Sequence, residues 1–190
     1  MINGIPFVGI YAPFPRSGKG EVLKTFVEQG YVELTFARVV KSTMKFFLME
    51  LGATEEEADW HLYDDGKEEC IDVLDCEMTG GQLLSTFATD YVRDTIHKRV
   101  WLDRTLQDAE EYLESNPPPK GFILQDQRFE NEHYEVDVSI RLVREGVTSH
   151  TRSKKSEGNL EHLYHEYELT NNGTLDELKV KTLQIIKEIE

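Results

Sequence analysis

Pro6-Phe7-Val8-Gly9-Ile10-Tyr11-Ala12-Pro13-Phe14-Pro15-Arg16-Ser17-Gly18-Lys19-Gly20-Glu21 is the stretch on which the fold turns. Pro6 to Tyr11 is apolar and rich in β-formers, and a turn-prone segment with Pro13, Pro15 and Gly18 follows it, so the order predicts a buried strand feeding a loop. Val22, Leu23, Phe26 and Val27 then recur at helical spacing until Gly30 stops the pattern. The unit reads strand, loop, helix. A loop in that place aims backbone N–H groups and the positive end of a helix at anionic oxygens, while a lysine reaches the outermost phosphate. Lys19 is the candidate lysine, and Gly18 lets the backbone come close without a Cβ. The string departs twice from G-x-x-x-x-G-K-[ST]: Pro13 stands at the first glycine, and Gly20 stands where a Mg²⁺-binding hydroxyl belongs. Ser17 or a metal-bound water could replace that ligand. Arg16 either helps to neutralise phosphate or is an exposed loop arginine.

Outward from this unit, Tyr31 to Thr35 reads as a second strand. Phe36, Val39, Val40, Met44, Phe47, Leu48 and Leu51 mark one face of a helix closed by Gly52, and Thr54 with Glu57 forms a capping box for the next. Residues 54 to 78 are acidic and weakly periodic, as a solvated face is. From Gln82 to Leu113 the pattern is mainly helical, and Pro117-Pro118-Pro119 ends it. Gly121 to Leu124 is another buried-strand candidate, while Val136, Val138, Ile140 and Leu142 alternate with polar residues as in a further strand. Arg144 to Asn159 reads as a mobile polar loop, Tyr164 to Thr170 as a last strand, and Thr174 with Glu177 as the cap of a terminal helix. Strands alternating with helices imply an α/β domain, residues 1–190, with a parallel sheet covered on both faces.

Composition narrows the function. The chain has 190 residues, 39% of them hydrophobic, and 36 acids against 21 Lys plus Arg give a net charge of −15. It is long enough to bury a core. Such a charge repels a polyphosphate backbone, so long nucleic acid is not an expected partner, whereas a small anion in a local pocket remains allowed. Cys70 and Cys76 are too few for a zinc set or a disulfide framework and read as reduced thiols. The start lacks a secretory pattern and no apolar run approaches ~18 residues, so neither a membrane nor secretion is expected. The histidines show no metal-binding spacing, and no nucleophile elbow or credible catalytic cysteine setting is present.

Several stretches together resemble the P-loop deoxynucleoside monophosphate kinases of the phage type. Arg16-Ser17-Gly18-Lys19 agrees with that family's tetrapeptide, while Gly20-Glu21 departs from its Asp-Thr. Phe36-Ala37-Arg38-Val39-Val40-Lys41 resembles its Phe-Ala-x-x-x-Lys segment. Gln82-Leu83-Leu84, Ala88-Thr89, Arg93 and Trp101 are similar to its central pattern, with Gln82 and Ala88 as departures. Asp126-Gln127-Arg128-Phe129-Glu130-Asn131-Glu132 is the most specific match, and His150, Ser156-Glu157 and Asn171-Asn172-Gly173-Thr174-Leu175 complete the order.

The resemblance implies a three-layer P-loop kinase-like fold with a central parallel sheet, flanking helices and a mobile lid at approximately 144–159. It implies ATP-dependent phosphorylation of a deoxynucleoside monophosphate, with Mg²⁺. Arg16, Ser17, Gly18, Lys19, Gly20 and Glu21 would hold the donor, and Val40, Lys41, Gln82, Thr89, Trp101 and Asp126 would meet the acceptor. Gln82 in place of an arginine would exchange an ionic contact for a neutral one. Trp101 reads equally as a base-stacking residue or a core one.

Phosphoryl transfer asks for alignment and charge neutralisation more than for a general base, so cations are the residues to find. Lys19, Arg93 and Arg128 are the catalytic candidates, although either arginine could instead pair with a nearby acid. Arg141, Arg144, Arg152, Lys154 and Lys155 face the single acid Glu145, a contrast that suggests an anion-clamping lid. Asp126, beyond a strand end, could hold Mg²⁺ or contact a sugar or base. Small-molecule nucleotides are the expected partners, a homodimer is left open, and the expected location is the cytoplasm, that of a host if the chain is phage-encoded. The alternatives are a P-loop kinase of another small or modified-nucleotide acceptor, and a nucleotide-binding module without turnover.

Overall fold

Five short strands make the parallel ladder that the alternation implies. β1 (Phe7–Tyr11), β2 (Tyr31–Leu34), β3 (Gly121–Leu124), β4 (Val138–Val143) and β5 (Tyr167–Thr170) lie in the order β2-β3-β1-β4-β5. Every neighbouring pair is parallel, with Val8 opposite Ile123 and Val138, Tyr11 opposite Arg141, and Ile140 opposite Tyr167. The helices are α1 (Lys19–Glu28), α2 (Ala37–Glu50), α3 (Glu55–Tyr63), α4 (Gly80–Ser85), α5 (Val100–Ser115), α6 (Glu130–His133) and α7 (Leu175–Ile189). The structure, a computed structural model, describes residues 1–14, 16–63, 65–125, 127–147 and 160–190. Two compact units divide the chain, Met1–Thr35 with Thr105–Glu190 in the first and Phe36–Arg104 in the second.

In the first unit β1 is central and buried along its whole length, which explains its near-continuous apolar sequence. Its side chains alternate between two faces. Val8 and Ile10 join Ile123, Ile140, Leu142 and Leu169 against Val22, Leu23 and Phe26 of α1 and Leu178, Ile185 and Ile186 of α7. Each such side chain contributes about 1.5–3 kcal/mol by leaving water, so this layer fixes α1 and α7 on the sheet. Phe122, on the other face, meets Tyr112 of α5 edge-on at 6.0 Å between centroids. Gly9 shares that face, and a Cβ there would lie 2.3 Å from the Gln127 side chain. The segment after β3 can therefore fold back onto β1 only over a glycine.

The capping boxes appear as read. Glu57 accepts from Thr54 N at 2.7 Å and donates its own N–H to Thr54 Oγ1 at 3.2 Å. Thr174 and Glu177 repeat the exchange at 2.8 and 3.2 Å at the start of α7. Beyond α3 the acidic stretch forms two single turns of 3₁₀ helix, Asp65–Glu68 and Asp72–Leu74. In the second unit Met44 and Leu48 of α2 pack with Ala58, Leu62, Ile71 and Leu83.

The helical stretch expected from Gln82 to Leu113 is broken. α4 runs into a wide π-helical segment, Thr86–Ile96, which ends at an extended His97 (φ −160°, ψ 129°) before α5 begins. Thr79 with Gln82 is a third capping box, which starts this run two residues earlier than its apolar pattern suggests. Among the described residues no helix is long and apolar enough to cross a membrane. Cys70 and Cys76 are free and exposed.

Candidate functional site

β1 delivers the chain to the carboxyl edge of the parallel sheet, where ligands bind in sheets of this kind. There the loop from Ala12 to Gly18 turns it into α1. Pro13 and Ser17 are buried, and Arg16 is exposed with φ +61°. A non-glycine residue in that region is strained and persists only where the surroundings impose it. Ser17 Oγ donates to the Phe14 carbonyl at 2.7 Å. The hydroxyl proton thus closes the loop on itself, and only the oxygen lone pairs are left to meet a cation.

Gly18 precedes the first turn of α1 with φ +102° and ψ 14°, a conformation that glycine adopts without strain. Glu21 N and Val22 N both turn back to its carbonyl, at 3.1 and 3.3 Å. No side chain caps this N-terminus. An uncapped first turn presents amide donors and the positive end of the helix to whatever lies before it. Lys19, the first residue of α1, is half-buried and has contacts of its own. Gly20 is exposed, and a Cβ there would meet nothing within 4 Å. Glu21 is the acid of the first turn, and its carbonyl accepts from Thr25 Oγ1 at 2.9 Å.

Two residues remote in sequence reach this loop. Asn171, buried at the end of β5, donates from Nδ2 to the Ser17 carbonyl at 2.8 Å and from its backbone N to the Val143 carbonyl at 2.8 Å. Arg144 donates from Nη1 to the Arg16 carbonyl at 3.3 Å. Asn172 Oδ1 accepts from Glu145 N at 2.9 Å. The loops after β4 and β5 are thereby tied to the loop between β1 and α1. The charge contrast pointed to Arg144; nothing local pointed to Asn171 beyond its place in an Asn-Asn-Gly turn.

The other candidates fall into separate settings. Arg141 lies within β4, not in the polar loop, and pairs with Glu168 at 3.1 Å and Glu161 at 3.7 Å. Its charge is committed to that edge of the sheet. Asp126, Arg152, Lys154 and Lys155, like His150, Ser156 and Glu157, lie outside the described residues. Around Asp126 the motif has a structural role: buried Glu132 accepts from Arg128 N at 2.8 Å and Phe129 N at 3.1 Å, capping α6. Gln127 Nε2 donates to the Glu132 carbonyl at 3.3 Å while its side chain fills the space over Gly9. Arg128 is half-buried and has further contacts.

In the second unit, Val40 is buried in α2, and Lys41 Nζ lies 4.7 Å from the centroid of the Tyr63 ring, a cation–π geometry. Gln82 is exposed, and its Oε1 accepts from Thr79 N at 2.9 Å as part of the cap. Thr89 is half-buried and Arg93 buried, both in the π-helical segment, a form often found at functional positions. Trp101 Nε1 donates to the Ala88 carbonyl at 2.8 Å, and its ring lies 6.2 Å from that of Phe87. That bond anchors the indole in its own unit.

A polar cluster lies behind the loop on the Gly9 face. Tyr11, the residue before Ala12, stacks on His165 at 5.5 Å and 8°, and burial together with nearby Glu161 pushes its hydroxyl up to about 12. His165 Nε2 contacts the Leu160 carbonyl at 3.0 Å, and its Nδ1 lies 2.8 Å from Ser139 Oγ. Burial holds the His165 imidazole below its usual range, with His133 and Arg141 adding to the effect.

The overall architecture is similar to that of solved structures. TT1252 from Thermus thermophilus aligns with a TM-score of 0.50 and 15% identity, over 98% of this chain and 98% of its own. A dephospho-CoA kinase from Campylobacter jejuni aligns with a TM-score of 0.51 and 11% identity, over 97% of each chain. The fold is P-loop kinase-like. At these identities the likeness concerns architecture alone. No protein-family model matches the chain, and comparison with curated proteins finds no match.

Proposed function

We propose that the protein is an ATP-dependent kinase of deoxynucleoside monophosphates. One observation carries the proposal: between β1 and α1, at the carboxyl edge of the sheet, a Gly18-hinged loop opens onto an uncapped helix N-terminus that bears Lys19. This arrangement suits a triphosphate, because aligned amides and an ammonium neutralise its oxygens without general-base chemistry. The order of the sequence motifs, above all Asp126 to Glu132, supports a deoxynucleotide acceptor.

The residues fit the triphosphate better than they fit a metal of their own. Among the described residues no group of three or more His, Cys, Asp or Glu side chains could hold a metal, and Gly20 has no hydroxyl, which leaves the Ser17 oxygen as the loop's hydroxyl ligand. Mg²⁺ commonly binds through substrate phosphates and retained waters, and its contribution here would be to neutralise phosphate charge. Lys19 would bind the outer phosphate, the amides from Arg16 to Gly20 would orient the triphosphate, and Arg128 is proposed to steady the transferred group. Arg144, Arg152, Lys154 and Lys155 are proposed to close on the anion and exclude water.

The test is ADP release with Mg²⁺ over all common dNMPs and NMPs, comparing the wild type with Lys19→Ala. A deoxynucleotide product, with turnover reduced at least about a hundredfold in the variant, is expected. Undiminished turnover in Lys19→Ala refutes the assignment. The second reading, a kinase of another small acceptor, is favoured by Gln82, whose carbonyl oxygen is engaged in the Thr79 cap where the resembling family has an arginine. Dephospho-CoA and modified nucleotides therefore belong in the panel. Tight ATP binding without product from any acceptor would point instead to a binding module.

A further inference from the structure

We infer that Asn171 is the positioning residue of the phosphate loop, setting the direction of its amides; the inference rests on the phosphate-binding reading of that loop. An anion site made of backbone needs its carbonyls turned away and its N–H groups turned in. In a trans peptide the C=O of one residue and the N–H of the next point in opposite directions, and no peptide bond described here is cis. Holding the Ser17 carbonyl from outside therefore aims the Gly18 N–H at the opposite side, and holding the Arg16 carbonyl aims the Ser17 N–H likewise. Asn171 Nδ2 makes the first hold at 2.8 Å and Arg144 Nη1 the second at 3.3 Å.

Asn171 is suited to the task because it is itself held. Its side chain is buried, its backbone N–H is bonded to Val143, and its neighbour Asn172 is bonded to Glu145. The fit over Gly18 is close enough that a Cβ there would lie 2.4 Å from Asn171 Nδ2. The loop thus depends on glycine for two reasons, its φ and the amide that presses on it. The bond spans 154 positions of sequence, so it ties the end of β5 to the turn after β1. A carboxylate at position 171 would face the Ser17 carbonyl with an acceptor and turn the hold into a repulsion.

The experiment is calorimetric titration of wild type, Asn171→Asp and Asn171→Ala with inorganic tripolyphosphate and with ATP, beside steady-state kinetics for donor and acceptor. Tripolyphosphate affinity is expected to fall about tenfold in Asn171→Ala, the effect of one buried hydrogen bond, and further in Asn171→Asp. The KM for ATP should rise in step while the KM for the acceptor stays constant, a split that general loosening of the fold would not produce. Asn171→Ala, which adds no charge, keeps the test valid if Asn171→Asp does not fold. Wild-type affinity for tripolyphosphate in a folded Asn171→Ala overturns the inference. A wild type that binds neither tripolyphosphate nor ATP overturns the phosphate-loop reading, and the inference with it.

Discussion

Gly18 and Gly20 stand two residues apart, and replacing each with alanine should move stability in opposite directions. Gly18 has φ +102°, and its new methyl would lie 2.4 Å from Asn171 Nδ2 and 3.3 Å from Leu178 Cδ2. An L-residue in a left-handed conformation costs about 1–2 kcal/mol. Displacing the Asn171 amide adds about 1 kcal/mol for its bond to Ser17. The sum is about 2–3 kcal/mol, or a fall in Tm of roughly 5–10 °C for a chain of this length. Gly20 lies in the first turn of α1 without positive φ, and its methyl would enter open space. Alanine there restricts the unfolded chain and should add about 0.4–1 kcal/mol. Scanning calorimetry of the two variants beside the wild type reads the difference directly. If Gly18→Ala melts within about 1 °C of the wild type, the loop does not have the conformation described, and the argument from Asn171 loses its geometric basis.

Three further outcomes follow from the same geometry. On the proposed kinase reading, Gly20→Thr supplies a hydroxyl at the position after Lys19, where there is space for it, so the Mg²⁺ concentration needed for half-maximal turnover should fall, as a Mg²⁺ titration at fixed ATP would show. Glu132→Ala leaves the Arg128 and Phe129 amides without their carboxylate and should cost about 2–3 kcal/mol in urea unfolding. His165 is held below its ordinary 6.5 by burial among Tyr11, His133 and Arg141, so the unfolded chain takes up its proton first as pH falls. Its contribution is whole above about pH 6.5 and is lost below it, so His165→Gln should flatten the decline in the urea midpoint between about pH 7 and 5.

Much of the architecture was legible because it is local. The apolar run at Phe7–Tyr11 and the Thr54–Glu57 and Thr174–Glu177 pairs all became the elements they suggested, since burial on both faces and reciprocal capping leave their mark on adjacent residues. The break at His97 left no such mark: a π-helical turn keeps apolar residues near helical spacing while shifting the phase. Thr79 with Gln82 had the same signature as the other capping boxes, yet Gln82 was read for its place in a ligand motif and not for the amide three residues earlier. Arg141 looked like part of a basic loop because charge was counted along the chain; its acids, Glu161 and Glu168, become neighbours only once β5 lies beside β4. Asn171 shows the limit most plainly, since its partner is 154 positions away and no periodicity carries such a relation.

The place of β1 between β3 and β4 has a consequence for biosynthesis. The turn between β1 and α1 is translated before the strands on either side of β1, which come only with Gly121–Leu124 and Val138–Val143, and before the asparagine clasp, which comes later still. The contiguous Phe36–Arg104 unit, by contrast, leaves the exit tunnel whole well before that point. The turn is thus translated well ahead of the residues that hold it and matures only after them, and a nascent chain released before Asn171 would carry every residue of the turn without the amide that holds the Ser17 carbonyl.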